Sequence, residues 1–182
     1  MLLYVFSSET WQNVERGYNA RLWATSVMDT TSSRGRWTKA QGMPLYARGL
    51  IWCVETNGFH MPFVVDDTPE NRIEESVWGQ PWEFPFKIHP LKEPKHRFPC
   101  EMAKLKWPVC QRHQNLACAV RGIHGVSAFQ PNRIPPEQWG QILDDMEAED
   151  DGTFPDARPI PVRVKSNRTN SAKLAFLKSL FD

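Results

Sequence analysis

Residues 50–55, LIWCVE, run into Thr56-Asn57-Gly58-Phe59 and then into an apolar return over residues 61–65. No other stretch constrains the chain as much. A short apolar run bounded by turn residues reads as a strand. Asn-Gly supplies the positive φ angles that a type I′ turn needs, so the segment is expected to form a β-hairpin.

The neighbouring segments extend this pattern. Residues 2–6 form a short apolar run that reads as a first strand. Ser7 or Ser8 is expected to cap a helix over about residues 10–19, where Trp11, Val14 and Tyr18 share one face. Residues 21–25 are strand-like. Residues 29–36, DTTSSRGR, are polar and read as a mobile loop. Residues 77–82, VWGQPW, are broken by Gly and Pro and cannot be a regular element. Residues 84–89 predict a strand whose Pro85 marks an edge or a bulge. Residues 98–107 hold a strand or short helix, and Pro135-Pro136 opens a further helix. After Ala148 the chain turns acidic and then Pro-rich, as linkers do, before an amphipathic stretch over residues 171–181. The expected organisation is a domain over residues 1–148 and a linker with a C-terminal helix over 149–182. The fold class is α+β: a mainly antiparallel, strongly curved sheet with helices packed on it.

Function is constrained first by what is missing. The sequence has no G-x-S-x-G, P-loop, dinucleotide-binding glycine pattern or H-E-x-x-H, so no catalytic residue and no cofactor is expected. Cys100 with His96, and Cys110 with His113, match no standard zinc spacing, so no metal site is expected either. Cys53 reads as a small core residue. No apolar stretch approaches membrane-spanning length, and no signal peptide precedes the first strand. A reduced, cytoplasmic compartment is the expectation, without a membrane partner. The formal net charge is +1, so a nucleic-acid partner would have to be held by local clusters such as Arg34, Arg36 and Lys39.

Eight tryptophans among 182 residues are a surplus. Trp78 and Trp82 stand in an irregular segment where no periodicity accounts for them. Two such rings could form opposing walls around a flat ligand, with about 1–3 kcal/mol from stacking on each face. The same two rings could equally cap an exposed end of the core.

These residues fall in a familiar order. Phe6-Ser7-Ser8, Gln12-Asn13-Val14 and Leu22-Trp23-Ala24-Thr25-Ser26 resemble the opening of YTH domains. The hairpin region over residues 47–65, the segment Val77-Trp78-Gly79-Gln80-Pro81-Trp82 and the strand Phe84-Pro85-Phe86-Lys87-Ile88 continue the resemblance, which covers roughly residues 2–145. The resemblance implies a PUA-like, YTH/EVE-type curved barrel surrounded by helices, and a reader of modified nucleobases that is not itself an enzyme. It implies an aromatic cage of Trp23, Trp78 and Trp82. Asn13 would hydrogen-bond the base ring and the Ala24 backbone would touch the base. Arg112 lies near a basic phosphate-holding position, alongside Arg34, Arg36 and Lys39. Residues 163–182 resemble the lead-in to an HNH nuclease domain. The expected partner is therefore modified DNA, with the base flipped into the cage, read by the specificity half of a prokaryotic modification-dependent restriction system. N6-methyladenine in RNA is the alternative.

Overall fold

A computed structural model describes residues 1–27, 30–111 and 128–157, without the side chains of 30–32. Its order is β1 (Leu2–Ser8), α1 (Trp11–Ala20), β2 (Leu22–Ser26), α2 (Thr30–Ala40), β3 (Arg48–Cys53), β4 (Gly58–Val65), β5 (Ile73–Glu74), β6 (Trp82–Pro90), β7 (Phe98–Pro99), α3 (Cys100–Lys106), α4 (Pro108–Gln111), β8 (Asn132–Arg133) and α5 (Pro136–Asp145). The strands curl into a half-barrel in the order β2-β6-β4-β3-β1-β8, with β5 beside β6 and β7 beside β4. Within it β1 and β3 run parallel and the other pairs antiparallel.

Both faces of the central strands are buried, and their side chains alternate between two cores. Leu2, Tyr4 and Phe6 of β1 enter one core with Ile51, Phe63, Phe86 and Trp23. Leu3 and Val5 enter the other, with Leu50, Phe59, Trp107, Trp139 and Ile142. Helices α3, α4 and α5 cover that second face. This two-sided burial explains why β1 and β3 read as continuous apolar runs rather than as alternating ones.

The expected hairpin is present as β3 and β4, but its turn differs. Four residues, Val54 to Asn57, connect Cys53 to its partner Gly58. Asn57 alone takes the positive φ, at 49°, and its N–H donates to the Val54 carbonyl at 3.0 Å. Gly58 serves close approach instead: a Cβ there would stand 2.6 Å from the Arg97 side chain and 3.1 Å from the Phe98 carbonyl. β7 crosses at that point. A bulge between Gly49 and Ile51 lets Met61, at φ 46°, turn into the first core while Phe59 turns into the second.

Two other expectations are corrected. Helix α1 is capped by Thr10, whose hydroxyl accepts from the Asn13 N–H, and not by Ser7 or Ser8. Ser8 donates to the Thr10 carbonyl. Residues 30–40 form helix α2 rather than a mobile loop. Its composition is poor for a helix, so tertiary contacts decide: Arg36, Trp37 and Ala40 face inward at helical spacing. Pro85 does mark a bulge. Phe84 takes φ 59°, and the β2–β6 register shifts between Trp23 and Thr25.

The first residues of the expected linker are tied to the sheet. Arg48 forms a buried ion pair with Asp150 at 2.9 Å and donates to the carbonyls of Phe154 and Pro155. Residues 158–182, with the C-terminal helix and the nuclease-like stretch expected there, lie outside the described residues.

Candidate nucleobase-binding site

The strands β1 and β2 and the start of β6 open onto one pocket beside the N-terminus of α1. Its volume is about 360 Å³, within the range of small-ligand sites. Among the described residues its walls are Phe6, Ser7 and Glu9 from the end of β1, Asn13 from α1, Thr25, Ser26 and Val27 from the end of β2, Gln80, Pro81 and Trp82, and Ala128.

The three tryptophans come together behind and beside this pocket. Trp78 and Trp82 stack on one another with centroids 4.5 Å apart and planes 15° from parallel. Trp23 meets both edge-on, at 6.0 and 5.8 Å. A base between Trp78 and Trp82 would need about 7–8 Å between the rings, twice an ordinary carbon–carbon contact. In this geometry the two rings fill each other's faces, and of the three only Trp82 borders the pocket. Trp82 belongs to β6 rather than to a loop, its backbone in register with Ser26.

Each ring is placed by a specific device. Trp23 is fully buried and packs on Gly17, where a Cβ would stand 2.6 Å from the indole. Trp78 is anchored to α1 at two points: its Nε1 donates to the Asn13 carbonyl at 3.1 Å, and Arg16 donates to its carbonyl at 2.6 Å. Gly79, at φ 70°, turns the chain between the two rings. The Nε1 atoms of Trp23 and Trp82 are buried and find no hydrogen-bond partner among the described residues.

Asn13 is 8% exposed on α1. Its side-chain amide borders the pocket and makes no hydrogen bond to a described residue. Ala24 is fully buried beneath the wall at the β2 bulge. The basic residues separate. Arg34 and Lys39 are exposed on α2. Arg36 turns inward, donating to the Ser26 carbonyl at 2.9 and 2.7 Å and pairing with Glu83 at 3.1 Å. That ion pair replaces the solvent-facing, phosphate-holding position expected of Arg36, and burial pulls the guanidinium's pKa down against the pull of Glu83. Ser33 and Thr25 complete the cluster, donating to the Glu83 carboxylate and carbonyl. Arg112 and His113 lie outside the described residues.

The sequence reading passed over Ser7, Glu9, Thr25, Ser26 and Gln80. The signal available was positional: β1 and β2 both turn from apolar to polar at their ends, and both ends open on one side. Elsewhere, Cys53, Cys100 and Cys110 are buried free thiols, and burial raises Cys100 to about 11 and Cys110 to about 12. Among the described residues no group of three or more His, Cys, Asp or Glu side chains is placed to hold a metal. No described helix is long and apolar enough to cross a membrane.

The fold has counterparts among solved structures. The YTH domain of Zygosaccharomyces rouxii MRB1, solved with N6-methyladenosine RNA, is 13% identical and matches 80% of this chain and 86% of its own, at a TM-score of 0.53. The chain has a YTH-like fold. The Pho92 YTH domain, solved with m6A, matches 87% of this chain and 88% of its own at 13% identity and a TM-score of 0.52. The Toxoplasma CPSF4 YTH domain, solved with a 7-mer m6A-modified RNA, matches 90% and 96% at 15% identity and a TM-score of 0.51. No family model and no curated protein sequence matches the chain.

Proposed function

We propose that this YTH-like chain is a non-catalytic reader of a modified nucleobase, and that the base enters the pocket bounded by Trp82 and Asn13. The observation that carries this reading is the pairing of an aromatic wall with an amide that has no partner among the described residues, in one cavity of about 360 Å³. Stacking against Trp82 offsets the few kcal/mol needed to extrude a base from its neighbours. Trp78 supports Trp82 from behind, and Trp23 supports both edge-on. Asn13 reads the base edge, because a buried methyl is worth only about 1 kcal/mol and discriminates weakly alone. The Ala24 backbone lies beneath, and Arg34 and Lys39 meet phosphates, with Arg112 a further candidate.

The structural neighbours solved with N6-methyladenosine-containing ligands favour RNA carrying that base as the first candidate. The DNA reading, with a restriction nuclease attached, rests on residues 163–182.

The test is a panel of RNA and DNA oligonucleotides that differ only in one central base, read by fluorescence polarisation. Tighter binding of one modified member than of its plain parent is expected. Trp82→Ala weakens that member by about 1–3 kcal/mol, the value of one lost stacking face. Equal binding of modified and plain members in both polymers overturns the proposal. Trp82 is the residue to change because, of the three tryptophans, it alone borders the pocket; it is buried in the same core as Trp23, so a thermal melt of the variant checks that the fold survives.

A further inference from the structure

Glu9 stands at the pocket, and its side chain is held by none of the described residues. Its side chain is exposed, borders the cavity, and has neither an ion pair nor a hydrogen bond with a described residue. Its backbone, in contrast, is fixed. The Glu9 carbonyl accepts from the Glu55 N–H at 3.1 Å, and the Ser8 carbonyl before it accepts from Val54 at 2.9 Å. The Trp11 N–H after it donates to the Glu55 carboxylate at 2.6 Å. The turn between β3 and β4 thus clamps the junction of β1 and α1, and Glu9 is presented to the pocket from a rigid support. Among the described lining residues Glu9 alone carries a formal charge.

Thr10 is the helix cap, so Glu9 precedes the cap and Asn13 lies three residues beyond it. Both border the same cavity, and neither side chain has a partner among the described residues. An ionised carboxylate only accepts hydrogen bonds, whereas an amide both donates and accepts. Lining one cavity, the two together complement an edge carrying an N–H donor next to an acceptor nitrogen. That is the amidine edge of adenine and cytosine, in which an exocyclic amine adjoins a bare ring nitrogen. A carboxylate accepting from the cytosine amine is a known pairing in base readout. Bases with an exocyclic carbonyl at that position, thymine or hypoxanthine, would set oxygen against carboxylate. Asn13 can turn its amide to suit either edge and Glu9 cannot, so the discrimination falls to Glu9.

Resting on the reader function above, we infer that Glu9 is a specificity-determining residue that selects bases bearing an exocyclic amine with at least one hydrogen. Monomethylation of the amine leaves that hydrogen in place and dimethylation removes it. Both modified adenine and modified cytosine are therefore admitted, while their oxo counterparts are refused.

The experiment uses single-stranded oligonucleotides identical except for the central base. 5-Methylcytosine is compared with thymine, which differs only in the amine-bearing edge, and N6-methyladenine with N6,N6-dimethyladenine. The wild-type chain binds the first member of each pair about tenfold more tightly, the lower end of discrimination by one good base-edge contact. In Glu9→Gln, which keeps the size but adds a competing donor, both ratios fall toward one while the thermal melting curve is unchanged. Glu9→Ala gives the same collapse. Ratios near one in the wild type, or wild-type ratios retained in Glu9→Gln, overturn the role of Glu9 while leaving the reader function standing. Failure of a normally folded wild-type chain to bind any modified oligonucleotide at low salt overturns the reader function itself.

Discussion

The two faces of the sheet are built from the same strands, yet they treat their tryptophans differently. On the face covered by α3, α4 and α5, Trp107 donates its indole N–H to Asp145 at 3.0 Å and Trp139 donates to Asp150 at 3.2 Å. Phe98 stacks on Trp107 at 4.7 Å. On the other face, Trp23 and Trp82 bury indole N–H groups that find no partner among the described residues, and Trp82 borders an open cavity. An unmet buried donor costs about 1–3 kcal/mol. On the covered face, Trp107 and Trp139 are packed with their indole donors satisfied. The open face keeps donors unmet by any described residue together with free volume.

The sharpest way to break this comparison is to damage the covered face. Trp107→Ala removes the ring between Phe59 and Phe98 and leaves Asp145 without its indole donor. It is expected to cost about 3–5 kcal/mol of stability in denaturant unfolding. Ligand affinity of the protein still folded should stay near wild type. A comparable loss of affinity in fully folded protein would show that the two faces are coupled.

Gly17→Ala attacks the open face. The new methyl would stand 2.6 Å from the Trp23 ring, and either the ring or the helix must shift. Overpacking of this kind costs about 1–3 kcal/mol. Because Trp23 supports Trp78 and Trp82, ligand affinity should fall as well. Loss of stability with full affinity would detach Trp23 from the site.

The smallest effect concerns His60. Its Nδ1 donates to the Pro94 carbonyl at 2.7 Å, its Nε2 accepts from Thr56 at 2.7 Å, and its ring lies 5.0 Å from Trp11. Burial pulls its pKa below the ordinary 6.5; the carbonyls of Pro94 and His96 push it back up, and Arg97 lowers it. Between the folded and unfolded values the unfolded chain binds a proton that the fold refuses, so stability rises with pH there. His60 thus contributes stability in full above about pH 6.5, and this is lost as pH falls through the depressed value. Unfolding midpoints measured from pH 7 downward should show this slope in the wild type and lose it in His60→Gln.

Much of the fold was legible. The apolar runs of β1 and β3, the helix α1 beginning two residues after the first strand, and the proline-opened α5 all follow from local spacing. Pro85 marked its bulge because a proline cannot donate to the ladder. Helix α2 was illegible because its inward stripe is Arg36, Trp37 and Ala40, in which a buried arginine breaks the apolar pattern. The turn at Asn57-Gly58 was half legible. Asn57 takes the left-handed conformation, while Gly58 answers to the approach of β7, forty residues away in the chain. The tryptophans were recognisable as a group, but Glu9, Thr25 and Ser26 were not, since polar residues at strand ends look alike until those ends meet.

By itself, the sequence determined most of the strands and helices, though not α2, and that Trp78 and Trp82 stand apart from ordinary periodicity. Those properties depend on neighbours a few residues away, whose spacing sets the face each side chain occupies. The tertiary structure alone decided that Trp78 and Trp82 stack on each other, that Arg36 pairs inward with Glu83, and that Glu9 and Asn13 share a cavity with Trp82. Those outcomes depend on the register of β2 against β6 and on a clamp between Trp11 and Glu55. Contacts that join residues more than forty positions apart are decided by how whole elements pack, not by local sequence.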